Sequence, residues 1–461
     1  MENKKLSFVE SLIIIILMFV ILGFMIIKLE IAPQIPLLLT FTLLLAYGKF
    51  RKFSWDSLHE GIINGIKPGI IPMIIFIMIG VLVASWLSAG VIPTIMVYGL
   101  EVMNPNFFLL TVFISCCLVG IIVGSAFTTI STMGLVFIGI SQVMGIDSAM
   151  TVGAVVSGAF FGNNMSPLSD TTNLTTGIAG VKNLSSHIKL MSHTSLIAAG
   201  ISAVIFFIIG QSNKQVNLSS VHHIENILKS NFVVSPIMLL PILVLLILAI
   251  RQVPAIPTLL SGAITAIIMN MIINGVSLKT VSDEIMNGFH FTKSTPEINQ
   301  IVSGGGISNM LGSISLIICA LALGGILLEL GVIDSLISKM EAHVNTPGKL
   351  ILATGIGGIG VNVLVGEQYL SIILPGTTFK KDFEKLKIAP RYLSRTLATA
   401  GADINALVPW SVSGVFIAGT LGVNTIHYLP YTFYTWLNPI LAILFGFIFQ
   451  NRLFKAGKNI E

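Results

Sequence analysis

The chain has 461 residues, of which 54% are hydrophobic and 10% charged, with a mean hydropathy of +0.93. An ordinary soluble domain carries about 25% charged residues, so this composition excludes a soluble globular protein and leaves an integral membrane protein. The formal net charge of +5 is confined to short loops and termini rather than spread over one basic face, which argues against nucleic acid as a partner and for a record of membrane topology.

In chain order, apolar runs at residues 12–27, 70–84, 107–123, 196–209, 237–250 and 437–449 predict helices that cross the hydrocarbon core. The first follows Lys4 and Lys5 with no small-residue cleavage site after it, so it reads as a retained helix rather than a signal peptide. Basic groups at Lys4 and Lys5, at Lys49, Arg51 and Lys52, at Lys380, Lys381, Lys385, Lys387 and Arg391, and at Arg452, Lys455 and Lys458 mark the cytoplasmic side. Both termini are therefore expected in the cytoplasm, on a multi-pass protein of the cell membrane. Cys116, Cys117 and Cys319 lie in apolar runs without metal-ligand spacing and read as helix packing. Phosphate-binding loops, nucleophile elbows and zinc-binding histidine-glutamate motifs are missing from the sequence, so ATP-driven pumping and hydrolysis are not expected, and no cofactor is.

Two kinds of polar interruption break this apolar pattern. Residues 166–172, Ser-Pro-Leu-Ser-Asp-Thr-Thr, fall inside a segment that hydropathy places in the membrane, and Pro167 predicts unwinding there. Irregular backbone at membrane depth persists where it is buried in protein or lines a water-filled cavity, and a carboxylate there is a candidate functional group. Residues 124–134 and 366–376 are bracketed by glycine and look too short and too polar to span; they read as re-entrant segments, or else as polar helix faces packed on neighbours.

A constant register relates the two halves. Gly124 pairs with Gly366, Pro167 with Pro409, Ser169 with Ser411 and Gly180 with Gly422, each 242 residues apart (409 − 167 = 242). Equivalent loops differ in charge: residues 379–391 carry five basic groups, whereas residues 141–149 carry none. Opposite bias predicts inverted-topology repeats with a site near the midplane. The expected architecture is an all-α polytopic membrane protein of two inverted repeats with re-entrant hairpins and broken helices: residues 1–210, a connecting loop at 211–231, and residues 232–461.

The run from Gly158 to Met165 leading into Ser166-Pro167-Leu168-Ser169-Asp170 resembles the signature of the NhaC-type sodium/proton antiporter family, within the ion transporter superfamily. So do Gly366-Glu367-Gln368-Tyr369, Leu393-Ser394-Arg395-Thr396-Leu397 and Pro409-Trp410-Ser411, and the resemblance covers nearly the whole chain. It implies a secondary active transporter working by alternating access, exchanging sodium for protons. The alternative is sodium- or proton-coupled carriage of a small organic acid of the malate/lactate type or an amino acid; a passive channel is a different class that inverted repeats disfavour. Membrane lipid and a second copy of the chain are further expected partners. The chain departs from the family's pattern where Asn163 and Asn164 replace an aspartate and a basic residue, where Ala398 and Thr399 replace a glutamate and an aspartate, and where Phe127 replaces a tryptophan. Four charges are thus absent around the implied site, which strengthens the organic-solute alternative.

Sodium is a hard cation that takes oxygen ligands. The first half offers Ser125, Thr128, Thr129, Ser131 and Thr132, then Asn163, Asn164, Ser166, Ser169, Asp170 and Thr171. The second offers Asn362, Glu367, Ser371, Asp403, Asn405 and Ser411. Asp170, with Ser169 and Asn163, is the leading sodium candidate, although aspartate is also a favoured helix cap. Glu367 is the leading proton-exchanging carboxylate. Arg395 suits a substrate carboxylate, or pairs with Asp403 or another acid. Glu101, Asp147, Glu329 and Asp334 are expected near span ends, and His187, His193, His222 and His223 in loops or interfaces.

Overall fold

The computed structural model describes residues 6–211, 218–251, 253–295, 299, 302–341 and 344–448. The basic residues Lys4, Lys5, Arg452, Lys455 and Lys458 lie outside these, as do the side chains of Glu101, His222 and His223. Among the described residues the secondary structure is helical apart from one bridge between Phe289 and Gly304. Eight of these helices are long and apolar enough to cross a bilayer, or up to eleven if each of three sharply bent pairs is one span. Helices satisfy every backbone hydrogen bond internally, which is what a lipid solvent requires.

Local signals set the ends of these helices. Ser7 and Glu10 form a reciprocal capping box that starts Phe8–Gly23. Gly124 and Gly366, both left-handed at φ 72° and 77°, end Phe108–Val123 and Pro347–Val365, and the next residue in each case caps a new helix. Ser125 accepts from the Thr128 amide at 3.3 Å, and Glu367 accepts from the Leu370 amide at 2.8 Å. The same local geometry thus recurs at equivalent positions in the two halves.

Two features of this layout add detail to the sequence reading. Gly134 and Gly376 do not close the polar segments that follow Gly124 and Gly366: residues 126–144 run on as a 19-residue candidate span, and Gln368–Lys385 continues past an internal Pro375. Each segment opens a longer helix whose hydroxyls bond backbone carbonyls of the preceding turn, and the first passes through a widened turn at Ile130–Gly134. The expected connecting loop also contains a helix, Leu218–Asn231.

The first break forms where Pro167 was expected to unwind the chain, and a second forms at its register partner Pro409. Ser148–Met165 stops before Pro167 and restarts as Asp170–Ala179. Further on, Pro390–Thr396 passes through a widened turn at Leu397–Ala402 and a tight one at Asp403–Leu407, stops before Pro409 and restarts as Val412–Leu421, bent by 44°.

Two apolar clusters hold the bundle, and each draws on both halves. One joins Phe76, Trp86 and Phe108 to Phe416, Tyr428 and Tyr434; the other joins Met18, Leu37 and Leu58 to Leu327, Phe379 and Leu397. Glycines allow the closest approaches. A methyl group placed on Gly65 would lie 2.6 Å from the Gly325 Cα, and one on Gly162 would lie 2.5 Å from the Gly120 backbone. Small residues at helix crossings are the usual means of tight packing in membranes.

Candidate functional site

At the first break, Ser169 is the helix cap and Asp170 the first helical residue. The Ser169 hydroxyl accepts from the Thr172 amide at 3.3 Å and donates to Asn163 Oδ1 at 3.0 Å. Asn163 Nδ2 in turn donates to Thr171 Oγ1 at 2.8 Å, which lies 3.0 Å from Ser169 Oγ. These three side chains are buried and close a small ring of oxygens and one amide. Asp170 is exposed at the mouth of this ring, accepting from its neighbour's amide through Oδ1 and from the Tyr369 hydroxyl through Oδ2. Ser166 Oγ accepts from the Leu168 amide at 3.3 Å and helps fix the unwound turn.

The second break repeats the arrangement. Asn405, 242 residues beyond Asn163, donates to Asn362 Oδ1 at 2.8 Å and accepts from the Ser413 amide at 2.9 Å. Asn362 Nδ2 donates to the Gly401 carbonyl at 2.6 Å, within the widened turn Leu397–Ala402. Ser411 caps the restarted helix through the Gly414 amide at 3.0 Å. Trp410 Nε1 donates to the Val363 carbonyl at 2.8 Å, and its ring faces Phe19 at 6.5 Å and lines a cavity of about 820 Å³.

The breaks are joined through Asp403. Its carboxylate is fully buried and accepts from Asn164 Nδ2 at 2.7 and 2.9 Å and from Asn438 Nδ2 at 3.0 Å. Both amides also reach the Tyr434 hydroxyl, at 3.0 and 2.9 Å, and that hydroxyl donates to Ser195 Oγ at 3.0 Å. Asn164 comes from the end of the helix before the first break, and Asp403 from the tight turn before the second.

A sequence profile described as the Na+/H+ antiporter family matches residues 2–211 and 158–448. The chain is 40% identical to the Na(+)/H(+) antiporter NhaC of Alkalihalophilus pseudofirmus, over 97% of each chain. The chain belongs to the Na+/H+ antiporter family. It is also 38% identical to the Na(+)/H(+) antiporter NhaC of Bacillus subtilis, over 97% of this chain and 99% of that one. The Malate-2H(+)/Na(+)-lactate antiporter of Bacillus subtilis is 30% identical, over 97% and 96%.

In this member of the antiporter family the remaining candidates are placed as follows. Thr128, Thr129, Thr132 and Ser371 are buried or nearly so, each with its hydroxyl on a neighbouring helix oxygen. Glu367 is buried and serves as a helix cap. Arg395 makes no ion pair with Asp403 among the described residues: it donates to the Ala442 carbonyl at 3.2 Å and lies over the Tyr392 ring. Arg395 stands two residues before the widened segment at Leu397–Ala402, while Asp403 is held by Asn438. His187 and His193 lie on the helix Leu184–Gln211, His187 buried with Nδ1 2.8 Å from Ser394 Oγ and His193 exposed. Asp147 and Asp334 are exposed near helix starts. Sequence reasoning missed Ser195, Tyr434 and Asn438 as partners of Asp403. The one signal was Asn438-Pro439 inside the final apolar run, a carboxamide at a depth where polar groups need a partner.

Proposed function

We propose that this chain exchanges sodium ions for protons across the membrane by alternating access. The observation that carries this reading is the junction of Asn164 with Asp403, which brings the two interrupted helices together around one buried carboxylate. Interrupted helices offer unwound carbonyls and helix termini at membrane depth, where a cation can leave water without losing its oxygen ligands. Membership of the Na+/H+ antiporter family and likeness to two antiporters of that name support the same reading. On this reading Asp170 draws sodium to the first break, and Ser169, Asn163 and Thr171 offer it oxygens. The two halves are inverted repeats, and both termini face the cytoplasm.

The test is flux in proteoliposomes. An imposed sodium gradient should drive a change of internal pH, and Asp170→Asn should reduce that flux sharply while the protein still inserts and folds. Unchanged sodium dependence in the variant would reduce Asp170 to a helix-end residue.

The cavity beside Trp410 favours a second reading, carriage of a small organic solute, because about 820 Å³ far exceeds what an ion needs. Relatives of the chain include a malate/lactate antiporter and an arginine/ornithine antiporter. Accumulation of malate, lactate or an amino acid in the same vesicles, without a sodium-driven pH change, would replace the first reading with this one.

A further inference from the structure

The cavity beside Trp410 lies where the turn joining Phe8–Gly23 to Gln34–Phe50 meets the second break, and its lining favours one sign of charge. Among the described residues that line it, Glu30 is the one carboxylate, none is lysine or arginine, and His427, exposed at the rim, is the one other titratable group. Gln34 adds a second acceptor. Its Nε2 donates to the Gly312 carbonyl at 3.1 Å, and because a carbonyl only accepts, the carboxamide is held with Oε1 turned away from it; that oxygen is buried with no hydrogen-bond partner. A buried acceptor without a donor costs free energy, so the cavity favours an occupant that brings an N–H. Trp410 supplies the third element. Its own N–H already donates to the Val363 carbonyl, which leaves the ring, tilted at 49° to Phe19, and the face of an indole ring attracts cations.

We propose that this cavity is a binding site for an organic cation, a guanidinium or ammonium group carried on an apolar body. Glu30 supplies the opposite charge, Gln34 Oε1 accepts an N–H from the head group, and the Trp410 ring attracts the same positive charge. Leu22, Ile26, Leu316 and Val415 receive the apolar body. A volume of about 820 Å³ lies within the range of small-molecule sites, which are mostly apolar with a few placed polar groups. A carboxylate occupant meets the reverse of each term: like charge at Glu30, no lysine or arginine in the lining to pair with it, and an orphaned acceptor that stays without a donor. The same chemistry turns malate and lactate away from this cavity. The inference deepens the organic-solute reading above by naming the class of solute, and rests on that reading only for the carriage of the occupant, not for its binding. Glu30 and Gln34 come from the start of the chain and Trp410 from the second break, so an occupant ties together elements far apart in sequence.

The experiment measures thermal stabilisation of the purified full-length protein by phenethylguanidinium, with potassium chloride as the ionic control, phenylpropionate as the matched anion and phenethyl alcohol as the matched neutral compound. The guanidinium should stabilise wild type at a lower half-effective concentration than the alcohol, and the carboxylate should not stabilise it. Glu30→Gln should raise the half-effective concentration of the guanidinium several-fold while leaving that of the alcohol unchanged, and should keep the sodium-driven pH change in vesicles. Gln34→Leu should also weaken the guanidinium several-fold, and Trp410→Leu should weaken guanidinium and alcohol alike. Equal stabilisation of wild type by guanidinium and alcohol would mark a pocket for a lipid chain and overturn the site. Wild-type guanidinium concentrations in both Glu30→Gln and Gln34→Leu would overturn it too. Protein that binds the guanidinium through Glu30, yet in vesicles accumulates none under an imposed sodium gradient, would overturn its carriage and leave the site standing.

Discussion

Ser169 illustrates how one hydroxyl can hold a functional turn. It caps the Asp170–Ala179 helix through the Thr172 amide and also donates to Asn163. Replacing it with alanine removes the cap, worth about 1 kcal/mol, and leaves the buried Asn163 carbonyl without that donor. Ser169→Ala should therefore unfold at lower temperature than wild type, whereas Ser192→Ala, whose exposed hydroxyl bonds only the preceding helix turn, should not. At this scale the sequence was partly legible. The Ser-Pro-Leu-Ser-Asp run announced a break with oxygen ligands, because proline and clustered hydroxyls act locally. Which residue caps was not legible, since Ser169 and Asp170 are both good caps and only backbone geometry chooses. The partners of Asp403 were hidden for a different reason. Ser195, Tyr434 and Asn438 each stand alone in apolar runs, and what gives them meaning is contact with residues far away in the chain.

Helices pack here through glycine, and the crossing of Phe108–Val123 with Ser148–Met165 depends on it. An added methyl at Gly162 would meet the Gly120 backbone at 2.5 Å, and backbone cannot move aside as a side-chain end can. Gly162→Ala should cost about 1–3 kcal/mol of stability by overpacking and lower the melting temperature in detergent. Gly200→Ala, where nothing lies within 4 Å of the added methyl, should not. A second element responds to pH. Glu284, on the amphipathic helix Leu278–Asn287, is half-buried and accepts from the Ser88 hydroxyl at 2.6 Å. Burial raises its pKa above the usual carboxyl value, with the Ser88 bond acting the other way. The folded state thus holds this proton more tightly than the unfolded chain does. Its contribution is most favourable below the unfolded pKa and is lost as pH rises through the folded pKa. Glu284→Gln should flatten that part of the stability profile, as followed by thermal unfolding from acid to neutral pH. Helix existence was readable from hydropathy, but the lengths of the segments after Gly124 and Gly366 were not. Polarity left short hairpins and packed polar helix faces both open, because serine and threonine hydroxyls can bond back to their own helices, as they do here, without ending them.

Across the whole molecule, the two halves interlock rather than sit side by side. Met18, Leu37 and Leu58 from the start of the chain cluster with Leu327, Phe379 and Leu397, and the segment carrying Phe416, Tyr428 and Tyr434 packs against the first half. The register of 242 residues could be found from glycine and proline alone because turns and breaks demand those residues. The exchange of partners could not, because apolar side chains of similar size carry no address. Where the halves touch, chemistry is concentrated: Tyr369 meets Asp170, and Asn164 meets Asp403. Relative movement of the two halves necessarily disturbs both contacts. Trp410 stands beside the second break with its indole fixed to the Val363 carbonyl and one face towards the cavity, whereas Trp86 is sealed in the core and donates to the Gly262 carbonyl. With the other two of its four tryptophans, Trp55 and Trp436, replaced by phenylalanine, the protein carries its own optical pair, one chromophore whose emission follows the polarity and occupancy of the crevice and another whose emission serves as an internal standard.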